Sequence, residues 1–223
     1  METHRRTVRL MAWLGPSFPV GAYAYSHGIE YAVEAGLVRD RDTLATWVRG
    51  ILGFGFARID ADLYREAWQA VHAGNADRLA AIADLGRALR GTCELAAEST
   101  AQGGAFRDTV AAAWDGGDPA GGRPAPGYPG SVAAAVAREG IPLRVGLAAY
   151  LHALAANLVS AGIRLVPLGQ VAGQRVRAGL EDDVLAAAGG ALARSLDDIG
   201  SAALVVDWTS MQHETQYTRL FRS

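Results

Sequence analysis

Apolar residues recur at intervals of three and four positions along most of this chain, and this spacing constrains the fold more than any other feature. It is the spacing of one face of an α-helix. A representative run is Leu44, Trp47, Val48, Ile51 and Leu52. Alanine, the strongest helix former, supplies 44 of the 223 residues. Because no segment shows the alternating pattern of a half-buried strand, the sequence predicts an all-α fold.

The periodic segments together predict a single-domain helical bundle of about eight to ten helices. Asp42 is a candidate N-cap for the helix around residues 44–52, and Asn75 for a helix that ends near Gly91. Further helices are predicted at about residues 22–36, 56–73, 94–114, 131–139, 143–165, 171–194 and 196–203. A chain of this length buries most of its unfolded surface, so it needs no disulfide or metal to fold.

The segment 116–130 interrupts the helical pattern. Ten of its fifteen residues are Gly or Pro, which neither sustain a helix nor bury apolar area. We expect a flexible surface loop here, within one bundle rather than between two domains.

The charge balance excludes several classes of protein. The net charge is −2, which gives no general attraction to nucleic acid or anionic lipid. All 21 basic residues are Arg, so neither a P-loop lysine nor a lysine Schiff base is available. The single cysteine, Cys93, has no partner for a disulfide and no neighbouring zinc ligands. We therefore expect a cytoplasmic protein that binds neither nucleic acid nor membrane.

One segment, 145–166, is long and apolar enough to raise the question of a membrane span. It contains His152, Asn157, Ser160 and Arg164, and much of the remainder is Ala and Gly. These features favour a core helix of a soluble protein, in which His152 is buried with its hydrogen bonds satisfied.

Candidate catalytic groups are weak. Ser26 and His27 are adjacent, so on a helix their side chains point about 100° apart and cannot form a nucleophile–base pair. The carboxylate pairs Asp60/Asp62, Asp182/Asp183 and Asp197/Asp198 lie beside Arg or at predicted helix starts, which favours caps and solvated faces. The sequence therefore predicts no enzyme active site and no cofactor.

Two regions depart from ordinary helix composition. Residues 18–30 combine Pro19 and Gly21 with two tyrosines, a serine and further glycine, which indicates either a tightly packed helix start or a binding surface. Residues 207–223 end the chain with Trp208, Met211, Tyr217, Leu220 and Phe221 interleaved with arginines. Aromatic residues with Arg are typical of interface anchors. The sequence leaves open whether this C-terminal tail docks on a partner or on its own domain.

The same two regions resemble a known family. Residues 17–23 with 26–30 resemble the N-terminal signature of the UreF family of urease accessory proteins, and residues 210–223 resemble its C-terminal signature. Between them, residues 98–103 and 164–174 are similar to internal family motifs in the same order. Ile29 and Ala24 depart from the usual residues, and the Gly/Pro-rich loop looks like an insertion.

The resemblance implies a non-catalytic, all-helical protein that forms a homodimer. It also implies that the protein bridges a UreD/UreH-type accessory protein and the GTPase UreG on apo-urease, for nickel insertion and urease maturation. The candidate partner-binding residues are Pro19, Gly21, Tyr23, Tyr25, Ser26, His27, Gly28, Glu30, Met211, His213, Glu214, Tyr217, Arg219, Leu220 and Phe221.

Two alternatives remain open at this point. A nickel-binding metal carrier would use His27 and Glu30, with Glu34 on the same predicted helix face and His213 as a further candidate ligand. A helical regulator of the GTPase would change nucleotide turnover without urease present.

Overall fold

The computed structural model describes residues 2–114 and 126–223, and these residues contain helices and no strands. The predicted all-α class is confirmed. Two short 3-10 turns lie at Ala22–Ala24 and Leu196–Asp198. The α-helices of the described residues are α1 (Glu2–Trp13), α2 (Ile29–Glu34), α3 (Arg41–Phe54), α4 (Phe56–His72), α5 (Ala76–Ala88), α6 (Cys93–Trp114), α7 (Tyr128–Arg138), α8 (Leu143–Leu165), α9 (Gln170–Ala178), α10 (Glu181–Ala193) and α11 (Leu204–His213).

The helices share one hydrophobic cluster, to which every one of them contributes a buried residue. Helix α4 lies near its centre and packs against α3, α5, α7, α8 and α10. Helix α8 packs on α4 and α7, where Gly146 brings the backbone close to Tyr64 and Val136. Gly162 allows the same close approach to Leu44 on α3. Small residues therefore permit tight helix packing, as the Ala and Gly content predicts.

Helix α8 is also the described helix that is long and apolar enough to cross a membrane, with a mean hydropathy of 1.4. In an apolar stretch of 18 residues within this helix, 56% is buried inside the protein. Its buried face includes Leu147, Tyr150 and Leu151. The helix is therefore part of the core, as the sequence predicts. His152 is exposed, however, so its assignment to the core is wrong.

One of the two predicted N-caps is correct. The Asn75 side chain accepts a hydrogen bond from the Arg78 amide at 2.9 Å, which confirms it as a cap. Helix α3 is capped by Asp40 instead of Asp42. Asp40 accepts from the Thr43 amide at 2.8 Å, and Thr43 Oγ1 accepts from the Asp40 amide at 3.0 Å. This reciprocal capping box satisfies two free amides at the helix start.

Three predicted helices have different bounds because the backbone turns inside them. The 22–36 segment is divided into a 3-10 turn and α2, since Gly21, His27 and Gly28 adopt positive φ angles of 74°, 54° and 78°. The 171–194 segment divides into α9 and α10 at residues 179–180, and only Leu196–Asp198 of the 196–203 segment is helical. Helix α1 was not predicted.

The Gly/Pro-rich loop lies mostly outside the described residues. Its last residues are described, and α7 begins at Tyr128, inside the range predicted for the loop. Pro129 fits there because the first helical turn needs no amide donor. Pro126, Pro129 and Gly130 are buried, so this end of the segment is part of the packed protein.

Candidate partner-binding junction

The N-terminal motif and the C-terminal tail lie against each other, although nearly 200 residues separate them. We call this contact the junction: residues 21–30, residues 210–223, and Glu94 and Glu98 of α6. The backbones of α2 and α11 come close together at Gly28, where a Cβ atom would lie 2.7 Å from the amide nitrogen of Ser210. Because the φ of Gly28 is also positive, glycine meets both the space and the backbone angle that this crossing of α2 and α11 requires.

Helix α11 is consequently part of the folded core. Its residues Val206, Thr209, Ser210 and His213 are buried against neighbouring helices. Within the predicted docking tail, 207–223, residues 207–213 belong to a packed helix, and residues 214–223 form a non-helical extension.

Glu30 fixes the extension to α2. Its Oε1 accepts a hydrogen bond from the amide of Leu220 at 2.7 Å, and its Oε2 accepts from the amide of Phe221 at 2.9 Å. His213 Nε2 lies 3.1 Å from the same Oε2. The side chain is buried, so these bonds compensate the desolvation of the carboxylate.

Glu94 of α6 makes a second attachment. Its Oε2 lies 2.7 Å from His213 Nδ1, and its Oε1 accepts from Arg219 Nη1 at 2.7 Å. Arg219 therefore pairs with α6 and not with the N-terminal motif around Tyr23, Tyr25 and Glu30. After His213 the chain runs past α6, so the Glu94 carboxylate is the nearer acceptor for Arg219.

Ser223 is also bound to the junction. Its carbonyl oxygen accepts from the Ser26 amide at 2.7 Å and from Ser26 Oγ at 2.6 Å. Its hydroxyl donates to Glu98 Oε2 at 2.8 Å. The tail thus meets α6 a second time, at a residue with no exposed surface.

His27 and Glu98 form a buried pair, with His27 Nε2 at 3.1 Å from Glu98 Oε1. Burial and then the nearby Arg90 charge lower the pKa of His27 to about 3. Burial also raises the pKa of Glu98 to about 8, against the lowering effects of Ser223 and Arg90. Both groups are therefore neutral at pH 7, and the glutamic acid is placed to donate its proton to the imidazole.

The His27 ring has further neighbours. It stacks on Phe56 with a centroid separation of 4.7 Å and an interplanar angle of 13°. Its Nδ1 has no hydrogen-bond partner, and a cavity of about 30 Å³ beside it is lined also by Asp60 and Tyr150. This volume is enough for a water molecule that could form a hydrogen bond with His27 Nδ1.

The carboxylates of Asp60 and Asp62 are buried in the middle of α4, so their assignment to caps or solvated faces is wrong. Asp60 accepts from Arg90 Nη2 at 2.7 Å and from the Tyr150 hydroxyl at 2.8 Å. Asp62 accepts two bonds of 2.8 Å from Arg194. These ion pairs join α4 to its neighbours, and the Arg90 pair lies directly behind the junction.

The large apolar groups of the tail divide into two sets. Phe221 is buried, with the Arg164 guanidinium 4.4 Å above its ring, and Arg164 also donates to the Tyr23 carbonyl at 2.7 Å. Tyr217 and Leu220 are exposed, at 103% and 78%. Of the five groups, Phe221 therefore docks on its own domain, and docking of the others on a partner stays a prediction. Trp208 and Met211 are also about half exposed, although Trp208 meets Tyr31 edge to face at 5.3 Å.

The remaining candidates border this exposed set. Tyr23 is 74% exposed, Pro19 is exposed and Tyr25 is partly buried. Glu214 is partly buried and accepts from the Glu94 amide at 3.3 Å. Sequence reasoning missed Glu94, Arg90 and the role of Arg164, because their importance depends on contacts far along the chain.

Comparison with known proteins decides the family. A UreF family model matches residues 38–181. The urease accessory protein UreF of Granulibacter bethesdensis is 50% identical over 219 residues, which are 96% of this chain and 93% of that protein. The chain belongs to the UreF family. The UreF proteins of Rhodopseudomonas palustris strain BisA53 and Azorhizobium caulinodans are 48% and 47% identical over 96% of this chain, and the matches span 92% and 94% of their own lengths.

The structure removes the geometric basis for a metal site in this UreF family member. His27 precedes α2 instead of lying on its face, so His27, Glu30 and Glu34 are not one helical row. Both Glu30 oxygens already accept backbone amides. Among residues 2–114 and 126–223, no group of three or more His, Cys, Asp and Glu side chains is placed to hold an ion.

Proposed function

We propose that this UreF family member is a non-catalytic assembly factor for nickel insertion and urease maturation. In this role it bridges a UreD/UreH-type accessory protein and the GTPase UreG, and the complex acts on apo-urease. Membership of a urease accessory family supports the general role. The partners follow from the resemblance of the two terminal motifs.

The observation that carries the proposal is the composition of the junction surface. Tyr23, Tyr217 and Leu220 are largely exposed. The Leu220 amide is held by the buried Glu30 carboxylate, and the Tyr23 carbonyl accepts a hydrogen bond from Arg164. Apolar and aromatic groups on a rigid support bind a partner with little loss of conformational entropy. Arg219 and Arg222 stand beside them and supply the charged part of such a surface.

The chemistry of the same region supports a role without catalysis. Within the junction, His27 and Glu98 have strongly shifted pKa values, and each is directed at the other instead of at open space. Their pKa shifts come mainly from burial, which accompanies structural packing as well as catalysis. We infer that the pair fixes α6 to the N-terminal motif.

The expected assembly is a homodimer in the cytoplasm. The resemblance supports the dimer, and the single exposed Cys93 is compatible with a reducing compartment. Light scattering on the purified protein measures the dimer directly, and a monomer at micromolar concentration would contradict it.

The proposal is tested by co-purification. The tagged full chain is expressed with the UreD/UreH-type protein and UreG of the same organism, and the bound proteins are identified by mass. When all three proteins are expressed together, we expect the tagged chain to retain both partners. We expect no GTP hydrolysis by the tagged chain alone. Failure to retain the UreD/UreH-type protein, or GTP turnover in a preparation free of UreG, would contradict the adaptor role.

A further inference from the structure

Arg164, in the last turn of α8, contacts both terminal segments of the chain. Its Nη2 donates a hydrogen bond to the Tyr23 carbonyl at 2.7 Å, and its guanidinium carbon lies 4.4 Å from the centre of the Phe221 ring. Its Nε donates to the Ser160 carbonyl at 3.2 Å, one turn earlier in the same helix. The guanidinium is therefore held by its own helix while it reaches the N-terminal motif and the extension.

The carbonyl groups of the first 3-10 turn are bound by three different parts of the protein. The Ala22 carbonyl accepts an amide within the turn, and the Ala24 carbonyl accepts the Arg222 amide of the extension at 2.8 Å. The Tyr23 carbonyl, which lies between them, accepts from Arg164. The turn, the extension and α8 therefore meet within one short stretch of backbone.

The two outer contacts of Arg164 lie on either side of the hydrogen bond between Ala24 and Arg222. Tyr23 precedes Ala24 in the turn, and Phe221 precedes Arg222 in the extension. The Phe221 ring is buried, whereas the Tyr23 side chain is largely exposed. One side chain of α8 thus links a docked residue of the extension to an exposed aromatic residue of the N-terminal motif.

We propose that Arg164 is a positioning residue that fixes the direction of the Tyr23 side chain on the exposed part of the junction and couples it to the docked extension. The use of this surface in binding rests on the proposed function, but the positioning itself is a property of the isolated chain. A tyrosine has few rotatable bonds, so a fixed backbone leaves its side chain little freedom to lose on binding.

The three contacts require an arginine and not only a positive charge. A guanidinium is planar, carries several donors in a fixed fork and has a flat face that stacks on aromatic rings. These properties match two carbonyl acceptors, those of Ser160 and Tyr23, together with the ring of Phe221. A lysine ammonium keeps the charge but has neither the fork nor the face, so Arg164→Lys should not preserve the arrangement.

NMR and hydrogen exchange on the isolated full chain measure the positioning. The Arg164 Nε–H signal should be shifted by the ring current of Phe221, and this shift should disappear in Phe221→Leu. The Tyr25 amide reports on the turn and the Arg222 amide on the extension. In Arg164→Ala the protection of both amides should fall about tenfold or more, as expected for losing a hydrogen bond to a charged group.

Two further variants control this measurement. Arg175→Ala removes an exposed arginine from α9 and should leave the protection of both amides unchanged. Arg164→Lys covers the case in which Arg164→Ala does not fold, and it should lose most of the protection because charge alone does not replace the fork. Unchanged protection in Arg164→Ala, or full protection in Arg164→Lys, would overturn the proposal.

A double-mutant cycle on the affinity for the UreD/UreH-type protein tests whether binding uses this positioning. Tyr23→Ala and Arg164→Ala should each weaken binding about tenfold, as expected for an interface anchor. The double variant should be scarcely weaker than Tyr23→Ala, because both changes remove the same contact.

An arginine that is merely structural would give effects that multiply in the double variant, and that result would overturn the proposal. Failure of the unchanged protein to bind would instead contradict the proposed function. In that case the exchange measurements on the isolated chain still decide whether Arg164 positions Tyr23.

Discussion

The carboxylate of Glu30 accepts the backbone amide of Phe221 at 2.9 Å, across 191 residues of sequence. This contact joins the start of α2 to the end of the chain inside a buried site. The Phe221 ring is buried, whereas Leu220, whose amide binds the other Glu30 oxygen, presents its side chain to solvent. One glutamate therefore positions both a docked residue and an exposed one.

Replacing Glu30 with Gln should destabilise the protein by about 2–4 kcal/mol, because the amide group turns one of two buried acceptors into a donor that faces a backbone N–H. Glu34→Gln, one turn further along at an exposed position, should change stability by less than about 0.5 kcal/mol. Urea unfolding followed by circular dichroism measures both. Equal effects for the two variants would show that the buried contact does not stabilise the fold.

Gly28→Ala should be more damaging than Gly36→Ala. Both residues have a positive φ, 78° and 71°, so each variant carries the left-handed strain of about 1 kcal/mol. A Cβ at Gly28 also meets the Ser210 backbone at 2.7 Å, whereas none is within 4 Å at Gly36. Thermal unfolding should show at least about 1 kcal/mol more loss for Gly28→Ala. Similar losses would mean that α2 and α11 do not approach as closely as described.

The His27–Glu98 pair should make stability depend on pH on both sides of a plateau. The pKa of Glu98 rises from 4.5 to about 8 on folding, so its favourable contribution is full below pH 4.5 and is lost as pH rises toward 8. The pKa of His27 falls from 6.5 to about 3, so its contribution is present above pH 6.5 and is lost as pH falls toward 3. Between pH 4.5 and 6.5 the two trends offset each other.

The size of the change in unfolding free energy follows from the width of the pH range in which the effects of Glu98 and His27 do not offset each other. From pH 6.5 to 8 the pair should remove about 2 kcal/mol of stability, at 1.36 kcal/mol per pH unit. Glu98→Gln keeps a neutral side chain at all pH values, so its unfolding free energy should lack this decline. A variant that declines as steeply as the unchanged protein between pH 6.5 and 8 would show that Glu98 is ionised when buried.

The isolated protein should bind nickel with a Kd weaker than about 10 μM, which is a binding free energy of less than about 7 kcal/mol. The reason is that His27 faces Glu98 and Glu30 faces backbone amides, so neither presents a free ligand atom as part of a set. Isothermal titration calorimetry checks this. Stoichiometric binding below 1 μM that is lost in His27→Ala would support the metal-carrier alternative instead.

Local patterns predicted the long helices well because the apolar residues that recur at helical spacing are the same residues that form the packed face of each helix. Helix α8 was predicted at 143–165 and observed at Leu143–Leu165. Helices α3, α4 and α6 also lie where periodicity places them. The missed break before α2 depends on a positive φ at His27, which is a non-glycine residue and gives no turn signal.

The candidate site was predictable in composition but not in connectivity. Motif residues Glu30, Ser26 and Gly28 were identified, and they do meet the tail. Their contacts on α6 could not be inferred. Glu94 looks like an ordinary helical carboxylate in the sequence, and the motif at residues 98–103 does not indicate that Glu98 meets the tail. Contacts of this kind depend on tertiary packing, which a local sequence pattern does not encode.

We expect the exposed part of the junction to bind the partners of urease maturation. Deleting residues 207–223 would remove buried helix α11 residues, so substitutions at exposed positions are a cleaner test. Tyr217→Ala and Leu220→Ala remove groups that are 103% and 78% exposed, and Leu185→Ala on α10 removes a matched group that is 61% exposed.

The decisive measurement is the affinity of these variants for the UreD/UreH-type protein, with urease activation assayed in parallel. All three should unfold at nearly the same temperature as the unchanged chain, because exposed side chains contribute little to stability. Tyr217→Ala with Leu220→Ala should weaken binding at least about tenfold and reduce urease activation, since interface anchors contribute more than about 1 kcal/mol each. Leu185→Ala should bind normally. Normal binding and activation by the Tyr217→Ala, Leu220→Ala double variant would show that the exposed part of the junction does not bind this partner.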